Sequence, residues 1–133
     1  MKRTRLLNHG LSAAVAGMGH HDLMLVADAG CPIAIGPGRI DLAVRANLPR
    51  SADVLDAILS ELSVEAYMVA SPMVAQNPEM LATLERLLPG VPRTELDYGE
   101  FHRVVPTVKF AVRTGEYTPF ANVILVGGAA DIE

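Results

Sequence analysis

The chain has 133 residues, half of them apolar, with a mean hydropathy of +0.30 and a formal net charge of −4. That length suits one domain with its own core and is too short for two. The acidic balance, the absence of Trp and the lack of any basic stripe beyond Lys2-Arg3-Thr4-Arg5 exclude the electrostatic footprint of a nucleic-acid binder.

The opening "MKRTRLL…SAAVAG" mimics a secretion signal, but Asn8-His9-Gly10 interrupts its apolar segment, so it is read as part of the mature fold. "NHGLSAAVAGMG" places Leu11, Val15 and Met18 on one helical face, with Asn8 or Ser12 as cap and Gly19 as stop. "DLMLVADA" is a continuous apolar run of strand length, the pattern of a strand covered on both faces. "GCPIAIGPG" is a loop, and "RIDLAV" a second short strand. Ser51 is placed as the cap of a helix over "ADVLDAILSEL", whose face is Val54, Leu55, Ile58, Leu59 and Leu62. "VEAYMVAS" is a third strand. "NPEMLATLERLLPG" has Asn77 as N-cap, Pro78 at the first helical position and Gly90 beyond the end. "RTELDY" reads as a strand and "GEFHRVVPTVKFAVRTG" as a helix by Phe101, Val105, Val108 and Val112, in which Pro106 predicts a kink or a late start. "NVILVGG" closes the chain as an apolar strand. This alternation predicts a three-layer α/β/α sandwich with a largely parallel sheet, in a single domain over 1–133.

A lone cysteine, Cys31, cannot form an internal disulfide, and no apolar run reaches the length of a membrane helix. A cytoplasmic protein with no membrane association is the expectation. So apolar a small chain also predicts a large subunit interface, hence a homo-oligomer.

The chemistry-bearing residues bracket the first apolar strand in "GMGHHDLMLVADAGCPI". His20-His21-Asp22 precede it, and three readings stand: a polar turn, a metal site or a general acid/base. Against metal, neighbouring histidines point different ways and no second ligand pair follows at useful spacing. Asp28 leaves the strand at the carboxyl edge, where open α/β sheets bind ligands, although Asp-Ala-Gly is also ordinary turn chemistry. His20 and Asp28 are on the order of 20 Å apart along a straight strand, so they meet only if a neighbouring loop or another subunit folds one back. Gly36-Pro37-Gly38 lacks the rest of any phosphate loop and reads as a turn. Cys31 has no base near it in sequence and reads as structural. In "RTGEYTPFANVILVGG", Arg113, Glu116, Tyr117, Phe120 and Asn122 crowd one turn. Rings for the apolar face of a sugar and an amide and acid for its hydroxyls are what a monosaccharide site uses, whereas the plain alternative is a loop whose Phe120 fills the core.

"MGHHD", "DAGCPI", "RIDLAV" and "RTGEYTPFANVILVGG", in that order across nearly the whole chain, resemble the D-ribose pyranase and L-fucose mutarotase family, nearer its ribose branch. The resemblance implies an isomerase that interconverts pyranose and furanose forms, or anomers, of an aldose. It implies a ring-shaped homo-oligomer, commonly a decamer, with active sites between subunits. By the same resemblance the catalytic histidine falls on His20, and substrate-binding positions fall on Asp28, Tyr98, Phe120, Ala121 and Asn122. Two positions depart from the family pattern: Phe120 stands for a tyrosine, and Tyr98 for a histidine or arginine. Ring opening needs only proton transfers, so no metal or cofactor is implied. The competing classes are a non-catalytic sugar-binding or regulatory protein of the same fold and a nucleotide-binding α/β domain.

Overall fold

A computed structural model describes residues 1–130. The elements, in order, are α1 (His9–Gly17), β1 (Leu23–Ala27), β2 (Arg39–Asp41), α2 (Ser51–Leu59), β3 (Val64–Ala70), α3 (Pro72–Gln76), α4 (Pro78–Leu87), β4 (Arg93–Leu96), α5 (Tyr98–Val104), a 3-10 turn (Val105–Thr107), β5 (Phe110–Arg113) and β6 (Val123–Gly127). The strands form one mixed sheet in the order β2-β5-β1-β6-β3-β4. β1 pairs parallel with β5, β5 with β2, and β3 with β4. β6 lies between β1 and β3 and is antiparallel to both. Five strands therefore share a direction, and the last strand opposes them.

The reversal has a cause in the chain before β6. A parallel return needs a crossover long enough to carry the chain back along the sheet, usually through a helix. Residues 114–122 contain no helix. The chain leaves β5, stays at the carboxyl end of the sheet, arches over the end of β1 and enters β6 running the other way. Thr114 is bound at both N–H and Oγ1 to the Ala27 carbonyl, at 2.9 and 2.8 Å, and the Ala29 N–H donates to the Glu116 carbonyl at 2.8 Å.

Period-two alternation sorts the central strands between two apolar clusters. Met24, Val26, Tyr67, Val69, Val112, Val123 and Leu125 meet Leu11, Val54, Leu55, Ile58, Met73, Met80 and Leu84 from α1 to α4. Leu25, Ala27, Ala70, Ala111 and Ile124 meet Phe101, Val105 and Cys31 on the other face. The continuous apolar runs of β1 and β6 reflect that double covering.

Two local expectations are revised. Ser51 is the first residue of α2 rather than its cap: Arg50 is the N-cap, and the Ser51 hydroxyl is used by Glu116. The helix expected over 99–115 ends at Val104, and after the 3-10 turn at Pro106 the segment FAVR is strand β5. Val112 fits the helical spacing from Phe101, Val105 and Val108 and also the two-residue spacing from Phe110, and Pro106 decides between them by ending the helix. The short helix α3 carried no sequence signal of its own length. By contrast, α4 begins at Asn77 as expected, with Asn77 Oδ1 accepting from the Met80 N–H at 3.2 Å. No helix among the described residues is long and apolar enough to cross a membrane.

Leu125 is fully buried at the centre of the larger cluster. Leu125→Ala should lower the free energy of unfolding by about 2–5 kcal/mol, the range for a leucine deletion that leaves a cavity, read from a urea titration.

Candidate functional site

The arch makes a cavity of about 510 Å³ at the carboxyl end of β1, within the range of small-molecule sites. Asp28, Ala29, Cys31, Tyr98, His102, Arg113, Tyr117, Phe120 and Asn122 are among its lining residues.

Asp28 is held from two sides. Its N–H donates to Asn122 Oδ1 at 2.8 Å, and its carboxylate accepts from the Gly30 N–H at 3.1 Å and the Ala121 N–H at 3.5 Å. Burial raises its pKa above the usual carboxylate value, opposed by the N–H donors of Ala121, Cys31 and Gly30 and reinforced by the charge of Glu116. Asn122 spends its carbonyl oxygen on Asp28, which leaves its NH2 group as a donor. Ala121 contributes backbone only and is itself buried.

The aromatic wall is set by helix geometry. Asp97 caps α5 in a reciprocal box with Glu100, so Tyr98 is fixed at the first helical position beside the cavity. His102 lies one turn on, and the two rings are 4.3 Å apart. Phe120 meets Tyr98 edge-on at 6.3 Å. Phe120 has φ of +57°, an uncommon region for a bulky side chain. Its neighbour Pro119 is held by Asn77, whose Nδ2 donates to the Pro119 carbonyl at 2.9 Å. Arg113 donates from Nε to the Ala29 carbonyl at 3.0 Å and pairs with Asp41 at 3.2 Å.

Glu116 anchors the arch from beneath. Its buried carboxylate accepts from Ser51 N–H and Oγ–H, both at 3.2 Å, from Arg50 at 3.2 Å and from the Thr118 N–H at 3.4 Å. Burial pushes its pKa up, but the donors of Thr118 and Ser51 outweigh burial and hold it below the usual value. Gly115 passes so close to the chain at Leu48 that an added Cβ would stand 2.3 Å from the Leu48 carbonyl oxygen. Cys31 is buried and its thiol is pushed up to about 12 by burial and by the Asp28 charge, so it is no nucleophile at neutral pH.

Thus Asp28, Tyr98, Phe120 and Asn122 are brought together around one cavity, with Ala121 between the last two. His20 is not among them. It lies before β1, at the strand's opposite end, half-exposed and bound to Glu65. His102 was absent from the sequence reading; its spacing of four from Tyr98 on a short helix was the signal that would have found it. Glu65 was absent too, and nothing local marks it, because it meets His20 from β3.

The family model described as the RbsD / FucU transport protein family matches residues 1–130. A D-ribose pyranase of Symbiobacterium thermophilum is 48% identical over 128 residues, covering 96% of this chain and 98% of the relative. The structure of Bacillus subtilis RbsD complexed with D-ribose superposes with a TM-score of 0.92 at 35% identity, covering 98% of this chain and 100% of that one. A Streptococcus pneumoniae fucose mutarotase in complex with L-fucose shares the fold at a TM-score of 0.83 and 22% identity, with 98% of this chain and 100% of that chain covered.

Because the folded-state pKa of Glu116 is depressed, its stabilisation is present above the unfolded carboxyl value and lost as pH falls through the lower folded value. Glu116→Gln should therefore be less stable than wild type at pH 7, by about 1–3 kcal/mol. The gap should close on acidification below the usual glutamate pKa, as measured by urea unfolding across pH.

Proposed function

This chain belongs to the RbsD / FucU family, and from that premise we propose that it is an isomerase interconverting the ring forms of an aldose such as D-ribose or L-fucose. The observation that carries this reading is the cavity at the carboxyl end of β1, where Asp28 and Asn122 present hydrogen-bonding groups opposite the rings of Tyr98 and Phe120. Such a set matches a monosaccharide, with hydroxyls on the polar side and C–H edges on the rings.

In this reading His20 protonates the ring oxygen while a base removes the proton of the anomeric hydroxyl. The ring opens to the free aldehyde. It recloses on either face of the carbonyl, or through a different hydroxyl, and the protons return. The bond from the anomeric carbon to the ring oxygen breaks as the carbonyl forms, a C–O bond re-forms on closure, and only protons pass to and from the protein, so the reaction needs no metal and no cofactor. Asp28 and Asn122 hold hydroxyls, the Ala121 backbone borders them, and Tyr98 and Phe120 shape the cavity. The Asp28 carboxyl oxygens are the acceptors for hydroxyl hydrogens in this reading.

The separation of His20 from Asp28 supports a site completed by a neighbouring chain, and hence a homo-oligomeric ring, with a decamer the expected size. Exposed Leu7, Ile35 and Val44, together with Tyr98 and Tyr117 beside the cavity, are the apolar surface such contacts would cover. A three-layer α/β/α arrangement is supported by the two apolar clusters, with α1 to α4 packed on one face of the sheet and α5, beside the cavity, on the other. A cytoplasmic location accords with a lone reduced, buried cysteine.

Saturation-transfer NMR across D-ribose, L-fucose and other aldoses reads the exchange directly. His20→Ala should slow it by about 10²–10⁴-fold, the usual contribution of a positioned acid or base. Sugar-dependent stabilisation with no accelerated exchange in wild type would instead mark a silent sugar binder. His20→Ala and Asp28→Ala chains, each inactive alone, should regain exchange when unfolded and reassembled together. If each site takes one residue from each of two chains, an equal mixture should regain about a quarter of wild-type sites.

A further inference from the structure

His20 and His21 both donate to one carboxylate. His20 Nε2 is 2.8 Å from Glu65 Oε2, and His21 Nδ1 is 2.6 Å from Glu65 Oε1. Adjacent side chains on extended backbone point to opposite sides. Here His21 has φ of +73°, in the left-handed region, and that turn brings the two imidazoles onto the same side. The rings stack with centroids 3.7 Å apart and planes 23° from parallel.

The turn is built to hold that shape. The His21 N–H donates to the Gly127 carbonyl at 2.8 Å, and the Gly127 N–H donates to the Asp22 carbonyl at 2.8 Å. An added Cβ on Gly127 would stand 2.6 Å from the Gly19 carbonyl oxygen, so the close approach of β6 to this turn requires glycine there. Asp22 is occupied elsewhere: it accepts from the Gly19 N–H at 2.6 Å and pairs with Lys109 at 3.0 Å. Glu65 is thus the carboxylate given to the two histidines.

We infer that Glu65 is a positioning residue that fixes the orientation and tautomer of His20, so that the nitrogen left free to exchange a proton with a sugar is Nδ1. This rests on His20 being the acid of the ring-opening reaction. A carboxylate accepts only from a protonated nitrogen, so the neutral ring bound through Nε2 keeps its hydrogen there and leaves Nδ1 unprotonated. Taking up a proton places it on Nδ1, from which it passes to the ring oxygen and to which it returns on closure. Glu65 never touches the sugar. It removes the alternatives, a ring turned over or a hydrogen on the wrong nitrogen, that would put the transferable proton out of reach. His21 takes the second oxygen of Glu65 and stacks against His20, which closes the other orientation of the carboxylate.

The test combines a spectrum with kinetics on the assembled wild-type protein and its variants. Long-range ¹⁵N–¹H correlation spectra of the wild type should show neutral His20 hydrogenated at Nε2; hydrogen predominantly at Nδ1 overturns the assignment before any variant is made. In Glu65→Gln the tautomer signal should become mixed, and the exchange rate at saturating aldose should fall by roughly tenfold or more, part of what a positioned acid supplies. The half-saturating sugar concentration should stay within about twofold, because a residue that acts only by orienting His20 makes no contact with the sugar. Glu65→Asp, which keeps the charge, should recover part of the rate, while a uniform loss of stability would lower both variants without moving the tautomer. An unchanged rate and spectrum in Glu65→Gln overturn the proposal, as does one Zn²⁺ per chain retained through dialysis and lost in Glu65→Gln, which would make the cluster a metal site. A wild type inactive on every aldose would defeat the isomerase reading instead, and the spectrum would still decide whether Glu65 holds His20.

Discussion

The hydrogen bond from the Asp28 N–H to Asn122 Oδ1 joins the end of β1 to the start of β6, and the cavity depends on that junction. Residues 94 positions apart in sequence meet there because the chain between β5 and β6 has no helix to carry it back along the sheet. It can only cross the end of β1 and re-enter antiparallel. The same crossing brings Phe120, Ala121 and Asn122 against Asp28. Sheet direction and site geometry are therefore one decision of the fold.

The arch is held at several points by unlike means. Thr114 binds the Ala27 carbonyl, Glu116 is clamped to the start of α2, and Asn77 reaches Pro119 from the cap of α4. Among the described residues no buried side-chain nitrogen or oxygen lacks a partner. A loop satisfied in this way can keep Phe120 at positive φ, a conformation that costs of order 1–3 kcal/mol where nothing offsets it. The buried carboxylates Asp28 and Glu116 illustrate how donors decide charge: both are desolvated, but only Glu116 has enough hydrogen-bond donors to reverse the effect of burial.

β1 separates two kinds of chemistry. Its carboxyl end carries the groups that suit hydroxyl binding, and the turn before its amino end carries two stacked histidines on one carboxylate. Five strand residues, four of them buried, stand between them, so neither end can drift toward the other within a chain. A strand buried on both faces is a rigid spacer, and rigidity is what an assembly would need if residues from different chains were to meet around a single sugar.

Much was legible without coordinates where the signal is local. The double-faced burial of β1 follows from its unbroken apolar run, and the start of α4 from Asn77-Pro78. The resemblance of four motifs located the Asp28 and Phe120–Asn122 stretches that line the cavity. Expectations failed where two local rules competed, as in the FAVR segment, or where the backbone left its usual range, as at His21. Cap position at Ser51 was misplaced because its hydroxyl is spent on a residue 65 positions away. The amino-acid sequence by itself determined most of the element types, the apolar layers and the family, because periodicity, caps and motif order act over a few residues. Only the tertiary structure decided the antiparallel entry of β6, the place of His102 at the cavity and the union of His20, His21 and Glu65. Those depend on contacts between distant segments and on one positive φ, and neither leaves a mark in local spacing.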